Sequence, residues 1–143
     1  EKAWSFMIQV RFDDTDKFNR ILSSEKWRRY GLFVKNQHFT MLPDDLEITC
    51  SAILYNSQMY QLAMTRSTAG DVKLFLDGYQ CASGSIADAP AKGLKLDLES
   101  IQFLHDPNGN DGSGYVQRIR MWGKELDSDE ILEFCDCKPP KEG

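Results

Sequence analysis

The fold is decided by the stretch Asp71-Val-Lys-Leu-Phe-Leu-Asp-Gly-Tyr-Gln-Cys81 and by two motifs that follow it. Apolar residues alternate along its first half, and Asp77-Gly78 is a dipeptide that strongly favours a two-residue β-hairpin. After a loop rich in Asn, Asp and Gly, the run Tyr115-Val-Gln-Arg-Ile-Arg-Met-Trp122 alternates again, and Leu126-Asp-Ser-Asp-Glu-Ile131 follows it. The order predicts a hairpin, a long loop, a strand and a short helix.

The same two-residue period recurs along the rest of the chain, which is typical of strands with one buried face. In the first run that face carries Trp4, Phe6, Ile8, Val10 and Phe12. Met7 is an apolar exception on the opposite face. Further alternating runs lie at 30–34, 38–42, 46–50, 59–65, 72–76 and 101–105. In the last run Ile119 and Met121 alternate with arginines, and a bulge near Gln117 is needed for Val116 to point inward as well.

Size and charge set broad limits on function. The 143 residues fit one domain, which we expect at 1–137, followed by a linker-like tail at 138–143. The net charge of -5 argues against nucleic-acid binding. No apolar run approaches the roughly 20 residues of a membrane span, so we expect no membrane insertion.

Five motifs in this order resemble the laminin-G-like branch of the concanavalin A-like lectin/glucanase superfamily. They are Trp4–Phe12, Met59–Arg66, Val72–Gly78, Gly114–Trp122 and Leu126–Ile131. The resemblance implies an all-β fold, a two-sheet antiparallel jelly-roll sandwich of the concanavalin A/laminin G-like type with one short C-terminal helix. It covers most of the chain, and its motifs are signatures of structure and not of an active site.

A jelly roll of this kind implies a non-catalytic, lectin-like recognition module that binds a glycan or an extracellular protein. We expect the ligand at the loops 26–30, 77–81 and 106–114, at one end of the sandwich. The candidate ligand-binding residues are Trp27, Arg28, Arg29, Tyr30 and Tyr79. Aromatic rings and guanidinium groups can stack on a sugar or hold an anionic partner. We expect an extracellular or cell-surface setting, such as cell adhesion, with other domains in the same polypeptide.

The loop after residue 105 is the candidate metal site. Its oxygen donors are Asp106, Asn108, Asn110 and Asp111, all within six residues. Calcium takes six to eight hard oxygen ligands, and nearby glycines let backbone carbonyls turn inward. The spacing is not that of an EF-hand, since Asp111 stands where glycine is required. The alternative is a turn rich in Asn, Asp and Gly for conformational reasons alone.

Four cysteines predict disulfides and an oxidising compartment, since their spacing does not match a zinc site. They are Cys50, Cys81, Cys135 and Cys137. A bridge between the last two would be strained, because they are only two residues apart. The open pairings are 50–135 with 81–137, 50–137 with 81–135, and 50–81 with the tail pair bridging outside the chain. Four reduced thiols in a cytosolic domain are the alternative.

Two other functions follow from the residues. A structural or assembly domain of a larger surface or matrix protein would form oligomers through sheet edges or through intermolecular bridges of Cys135 and Cys137. A glycoside hydrolase is disfavoured. Glu125, Asp127 and Glu130 match the pattern of some jelly-roll hydrolases, but these carboxylates must share one strand face. Asp127 and Glu130 instead have the spacing of a helix capping box.

Overall fold

The computed structural model describes residues 3–24, 31–42, 47–85, 101–103, 113–135 and 137. Within these residues two antiparallel five-stranded sheets pack face to face. Sheet A contains, in spatial order, β10 (Gly114–Trp122), β1 (Trp4–Phe12), β6 (Met59–Arg66), β7 (Asp71–Leu76) and β8 (Tyr79–Ser85). Sheet B contains β5 (Ile48–Thr49), β4 (His38–Leu42), β3 (Gly31–Lys35), β2 (Asn19–Ser24) and β9 (Ile101–Phe103). The helix α1 (Ser128–Phe134) follows sheet A. The expected all-β fold is confirmed.

The core lies between the two sheets, where the alternating apolar residues of both inner faces meet. Phe6 of β1 stacks on Phe103 of β9 with their ring centroids 5.8 Å apart, which joins the edge strand β9 of sheet B to sheet A. The fully buried members of this core include Ile8, Leu22, Leu32, Val34, Phe39, Met41, Leu62, Met64 and Leu74. Burial of such side chains contributes about 1.5–3 kcal/mol each, so the interface is the main source of stability.

The outer face of sheet A carries a second, smaller core that explains the apolar exception in β1. Met7 is 1% exposed and packs with Phe75 and Ile131 beneath α1. Ser5, next to Met7 on the same face, accepts a hydrogen bond from the Leu126 backbone at 2.9 Å and donates one to the Lys124 carbonyl at 2.8 Å. The helix therefore covers part of this face, and the alternation of apolar and polar residues is lost in the covered part.

Two irregular features fall where the sequence predicts them. The β7–β8 turn has φ of 50° at Asp77 and 91° at Gly78, values that suit a two-residue hairpin. In the β1–β10 pair Gln9 opposes Arg118 and Val10 opposes Val116, so Gln117 is the extra residue of a bulge. The bulge sets Val116 against the core.

The cysteine pairing confirms one expectation and corrects another. Cys50 is bonded to Cys81, with Cα atoms 5.1 Å apart, and this was one of the open pairings. The bond joins the region after β5, an edge strand of sheet B, to β8, an edge strand of sheet A. Because Cys50 pairs with Cys81, the two pairings that joined these cysteines to Cys135 and Cys137 are wrong. Cys135 and Cys137 lie beside each other, with Cα atoms 5.2 Å apart, and a bridge from them to sequence outside the chain stays a prediction.

Candidate functional site

The described residues contain one member of the predicted ligand-binding set. Tyr79 is 68% exposed and lies directly after the Asp77-Gly78 turn. Trp27, Arg28, Arg29 and Tyr30 lie outside the described residues, so the predicted grouping of these side chains stays a prediction.

The predicted calcium ligands Asp106, Asn108, Asn110 and Asp111 also lie outside the described residues. Ser113 follows that loop and is tied to Asp13: the Asp13 N–H donates to the Ser113 carbonyl at 2.9 Å, and the Ser113 hydroxyl donates to the Asp13 carboxylate. Among the described residues, no three His, Cys, Asp or Glu side chains are grouped to hold a metal. The calcium site therefore stays a prediction.

The carboxylates considered for glycoside hydrolysis are used at the start of α1. Asp127 is the N-cap and accepts from the Glu130 N–H at 2.8 Å, while Glu130 accepts from the Asp127 N–H at 3.2 Å. Glu130 also accepts from Lys124 at 2.9 Å, and this hydrogen bond lowers the pKa of Glu130 and raises the pKa of Lys124. The capping box is confirmed, and it does not present these carboxylates on a strand face.

The part of the outer face of sheet A that α1 leaves uncovered contains a groove. Gln9 of β1 and Gln61 of β6 are direct cross-strand partners there. The bulge residue Gln117 and the turn residue Asp77 complete its polar lining, so three strands and one turn contribute. We call this the amide groove. Its described lining is completed by Met59, Tyr60 and Cys137.

Gln61 forms the floor of the amide groove and is 3% exposed. Its main chain is fixed by Asp77, whose carboxylate accepts from the Gln61 N–H at 2.8 Å and whose N–H donates to the Gln61 carbonyl at 2.8 Å. The side-chain Oε1 lies 3.7 Å from Sγ of Cys137. Within the described part of the chain, Nε2 of Gln61 is buried and has no hydrogen-bond acceptor. A buried donor left in this state costs about 1–3 kcal/mol.

The chemistry of the amide groove suits a small uncharged ligand rich in hydroxyl groups. Amides both donate and accept hydrogen bonds, and a carboxylate accepts two or more. Among the described lining residues Asp77 is the sole charged side chain. The volume of about 320 Å³ is near the lower end for small-molecule pockets.

One edge of the amide groove continues into an exposed strip on the same face. Arg11 opposes Met59 on one side and Tyr115 on the other, and its guanidinium lies 5.4 Å from the centre of the Tyr115 ring. Tyr115 is 51% exposed and Met59 is 38% exposed. An exposed aromatic ring next to a cation and polar groups is a surface against which an apolar face of a ligand can pack.

Sequence reasoning missed the amide groove because its polar residues come from separate parts of the chain. Gln9, Gln61 and Gln117 have no common motif, and Gln9 and Gln61 occupy ordinary outward positions of their strands. Only Gln117 carried a signal in the sequence. A β-bulge is predicted at this residue, and bulges often change the direction of a side chain.

The comparisons with known proteins identify the fold. No protein family profile matches the sequence, and a comparison with curated proteins gives no match. A candidate carbohydrate-binding protein from Bacteroides ovatus superimposes with a TM-score of 0.73 at 12% identity, over 94% of this chain and 41% of that one. The CBM40 domain of a Ruminococcus gnavus IT-sialidase, bound to α2,3-sialyllactose, gives 0.73 at 13% identity, over 94% of this chain and 82% of that domain.

The fold is a jelly-roll sandwich. A heptameric SAP-like pentraxin from Limulus polyphemus shares it, with a TM-score of 0.70 at 12% identity over 95% of this chain and 72% of that one. The present chain spans less than half of the Bacteroides protein, at 41%. These jelly rolls extend beyond the laminin-G-like branch, so the narrower assignment stays a prediction.

Proposed function

We propose that this chain is a non-catalytic recognition module that binds a neutral sugar unit of a glycan in the amide groove. The observation that carries the proposal is the buried Nε2 of Gln61, which lacks an acceptor within the described residues and lies in a groove lined by further amides. A sugar hydroxyl would supply that acceptor once the Gln61 side chain turns toward the groove, and Gln9 and Gln117 would contact neighbouring hydroxyls.

The similar structures support the class of ligand without identifying it. One of them is a CBM40 domain bound to a sialylated sugar, and another is a candidate carbohydrate-binding protein. In this chain the described lining of the amide groove includes the carboxylate of Asp77 and no cationic side chain, which favours an uncharged sugar over a sialylated one. Arg118 lies next to this lining as the cross-strand partner of Gln9. The Cys50–Cys81 bond supports an extracellular or cell-surface location, where disulfides persist.

The test is a glycan array with the oxidised protein, followed by calorimetric titration of the best neutral sugar into two variants. Gln61→Leu should weaken binding at least about fivefold, as expected from the loss of a buried hydrogen bond. The same variant should keep or raise the melting temperature, because it removes a buried donor without an acceptor. Gln80→Leu is the matched control, since Gln80 is an exposed glutamine of β8 outside the described groove lining.

Weaker binding in Gln61→Leu together with an unchanged or higher melting temperature would show that this side chain has a binding role and not a structural one. Unchanged affinity in Gln61→Leu, or equal losses in both variants, would contradict the proposal. Binding confined to sialylated or sulfated glycans would place the ligand elsewhere, at a cationic surface.

In the described part of the chain, no helix is long and apolar enough to cross a lipid bilayer.

A further inference from the structure

We propose that the exposed strip beside the amide groove is a second sugar subsite, so that the chain recognises at least two linked neutral sugar units. This inference rests on the proposed function, because it assigns the next unit of the same glycan. The strip consists of Tyr115 of β10, Arg11 of β1 and Met59 of β6, and we call it the tyrosine strip.

The tyrosine strip lies directly alongside the amide groove on the outer face of sheet A. Arg11 pairs with Tyr115 on one side and with Met59 on the other, so the strip crosses three neighbouring strands in one row. Gln9 and Gln61 form the adjacent row of the groove, two residues away along β1 and β6. Two residues of a strand span about 6.7 Å, which is close to the length of one sugar unit in a chain.

Met59 joins the two subsites. It belongs to the lining of the amide groove and also opposes Arg11 in the tyrosine strip. Its side chain is flexible, and a thioether adapts its shape to the surface that it contacts. A glycan that extends from the groove along the direction of β1 therefore stays in contact with the protein.

The side chains of the tyrosine strip suit the face of a sugar ring. One face of a pyranose can present mainly C–H groups, and an apolar face of this kind packs against an aromatic ring. Tyr115 is 51% exposed, so much of its ring is available for this contact. The Arg11 guanidinium, 5.4 Å from the centre of that ring, offers N–H donors to hydroxyl groups at the edge of the same sugar. The second unit should therefore be a pyranose with an apolar face.

The backbone that carries Tyr115 is fixed by the pairing of β10 with β1. The Asp13 N–H donates to the Ser113 carbonyl at 2.9 Å, so the pairing continues beyond the start of β10. Gly114 lies so close to β1 that an added Cβ atom would collide with the Arg11 carbonyl. A ring on a rigid strand loses little freedom when a ligand binds, which favours affinity.

The test is NMR titration with neutral disaccharides, each compared with the methyl glycoside of the same sugar. The probes are cellobiose, chitobiose, mannobiose, galactobiose and xylobiose. In at least one pair the disaccharide should bind about fivefold more tightly than the methyl glycoside, as expected from one added aromatic contact. Tyr115→Ala should remove this gain and leave the affinity for the methyl glycoside unchanged. Tyr115→Phe should keep the gain, since the ring and not the hydroxyl makes the contact.

Tyr79→Ala is the matched control. Tyr79 is 68% exposed on β8 and lies outside the described lining of the groove, so this variant should bind both members of each pair as the wild type does. A loss of disaccharide binding in Tyr79→Ala, with none in Tyr115→Ala, would favour the ligand-binding loops predicted from the sequence and overturn the second subsite.

The failure of this inference is distinguishable from the failure of the proposed function. Gln61→Leu should weaken both members of a pair, whereas Tyr115→Ala should weaken only the disaccharide. Equal affinities within every pair that binds, or equal losses for both members in Tyr115→Ala, would overturn the second subsite and leave the amide groove as the sugar site. If no probe binds, the second subsite is overturned, and the glycan array decides separately on the proposed function.

Discussion

Gly78 lies directly against Leu132, since a Cβ atom added to the glycine would stand 2.9 Å from Cδ1 of that leucine. The β7–β8 turn therefore supports the C-terminal helix, and Asp77 of this turn lines the amide groove. This contact ties the position of Asp77, and through it Gln61, to the docking of α1.

Gly78→Ala should destabilise the protein by about 1–3 kcal/mol, because the residue has φ of 91° and its Cβ would clash with α1. Chemical denaturation measures the loss. Gly123→Ala is the matched control, since a Cβ there meets nothing within 4 Å of the described chain. Equal losses in the two variants would show that the turn does not support the helix.

Replacing both Cys50 and Cys81 by Ala should lower the free energy of unfolding by about 2–4 kcal/mol, because their bond closes a long loop. The double replacement of Cys135 and Cys137 by Ser should cost much less, since a bond between these two residues would close a loop of only three residues. Urea denaturation of both variants compares them. A larger loss from the tail pair would contradict this assignment of structural roles.

Asp127→Ala should destabilise the protein by about 1 kcal/mol, because it removes the N-cap of α1. Asp127→Ser should retain most of the stability, as serine also caps helices well. Thermal unfolding followed by circular dichroism is the measurement. If alanine and serine behave alike at this position, the capping hydrogen bond contributes nothing.

Glu130 gives the helix a small dependence on pH. Its pKa is lowered by the hydrogen bond from Lys124, so its contribution is present above the ordinary pKa of glutamate and is lost as the pH falls through the lowered value. Glu130→Gln can keep the capping hydrogen bond but lacks the charge. The stability of this variant should therefore fall less than that of the wild type as the pH is lowered. The group is solvent-exposed, and the difference should shrink at high salt. Melting temperatures from pH 7 to pH 3 in both proteins test the assignment.

Calcium should raise the melting temperature if Asp106, Asn108, Asn110 and Asp111 hold it as predicted, because a ligand that binds only the folded state stabilises it. Unfolding with millimolar calcium and with chelator measures the shift. Asp106→Ala and Asp111→Ala should each reduce it, and Asp71→Ala, an exposed carboxylate at the start of β7, is the control. Without any shift the loop is a turn.

Local chemistry was sufficient to predict the irregular features of sheet A. Val116 and Ile119 are three residues apart and both apolar, so only an inserted residue could place them on one face. The structure confirms that residue as Gln117. The same holds for the Asp77-Gly78 turn and for the Asp127 cap, because each depends on neighbours in sequence.

Long-range contacts account for what the sequence did not reveal. β2 begins with buried Asn19 and Arg20, a pattern that indicates a loop. Asn19 donates to the carbonyls of Asp14 and Lys17, both at 2.8 Å, and the Arg20 guanidinium lies 4.5 Å from the centre of the Phe33 ring. The two carbonyls satisfy the Asn19 amide and the ring packs against the Arg20 guanidinium, but these partners are visible only once the chain is folded.

The bond between Cys50 and Cys81 also bears on how the molecule behaves in a crowded solution. It fastens the edge strand β8 of one sheet to the region beside the edge strand β5 of the other. An unprotected edge can recruit a strand from a neighbouring chain, which is a common start of aggregation. Loss of this bond would leave both edges free to separate, so reducing conditions would threaten solubility before they unfold the core.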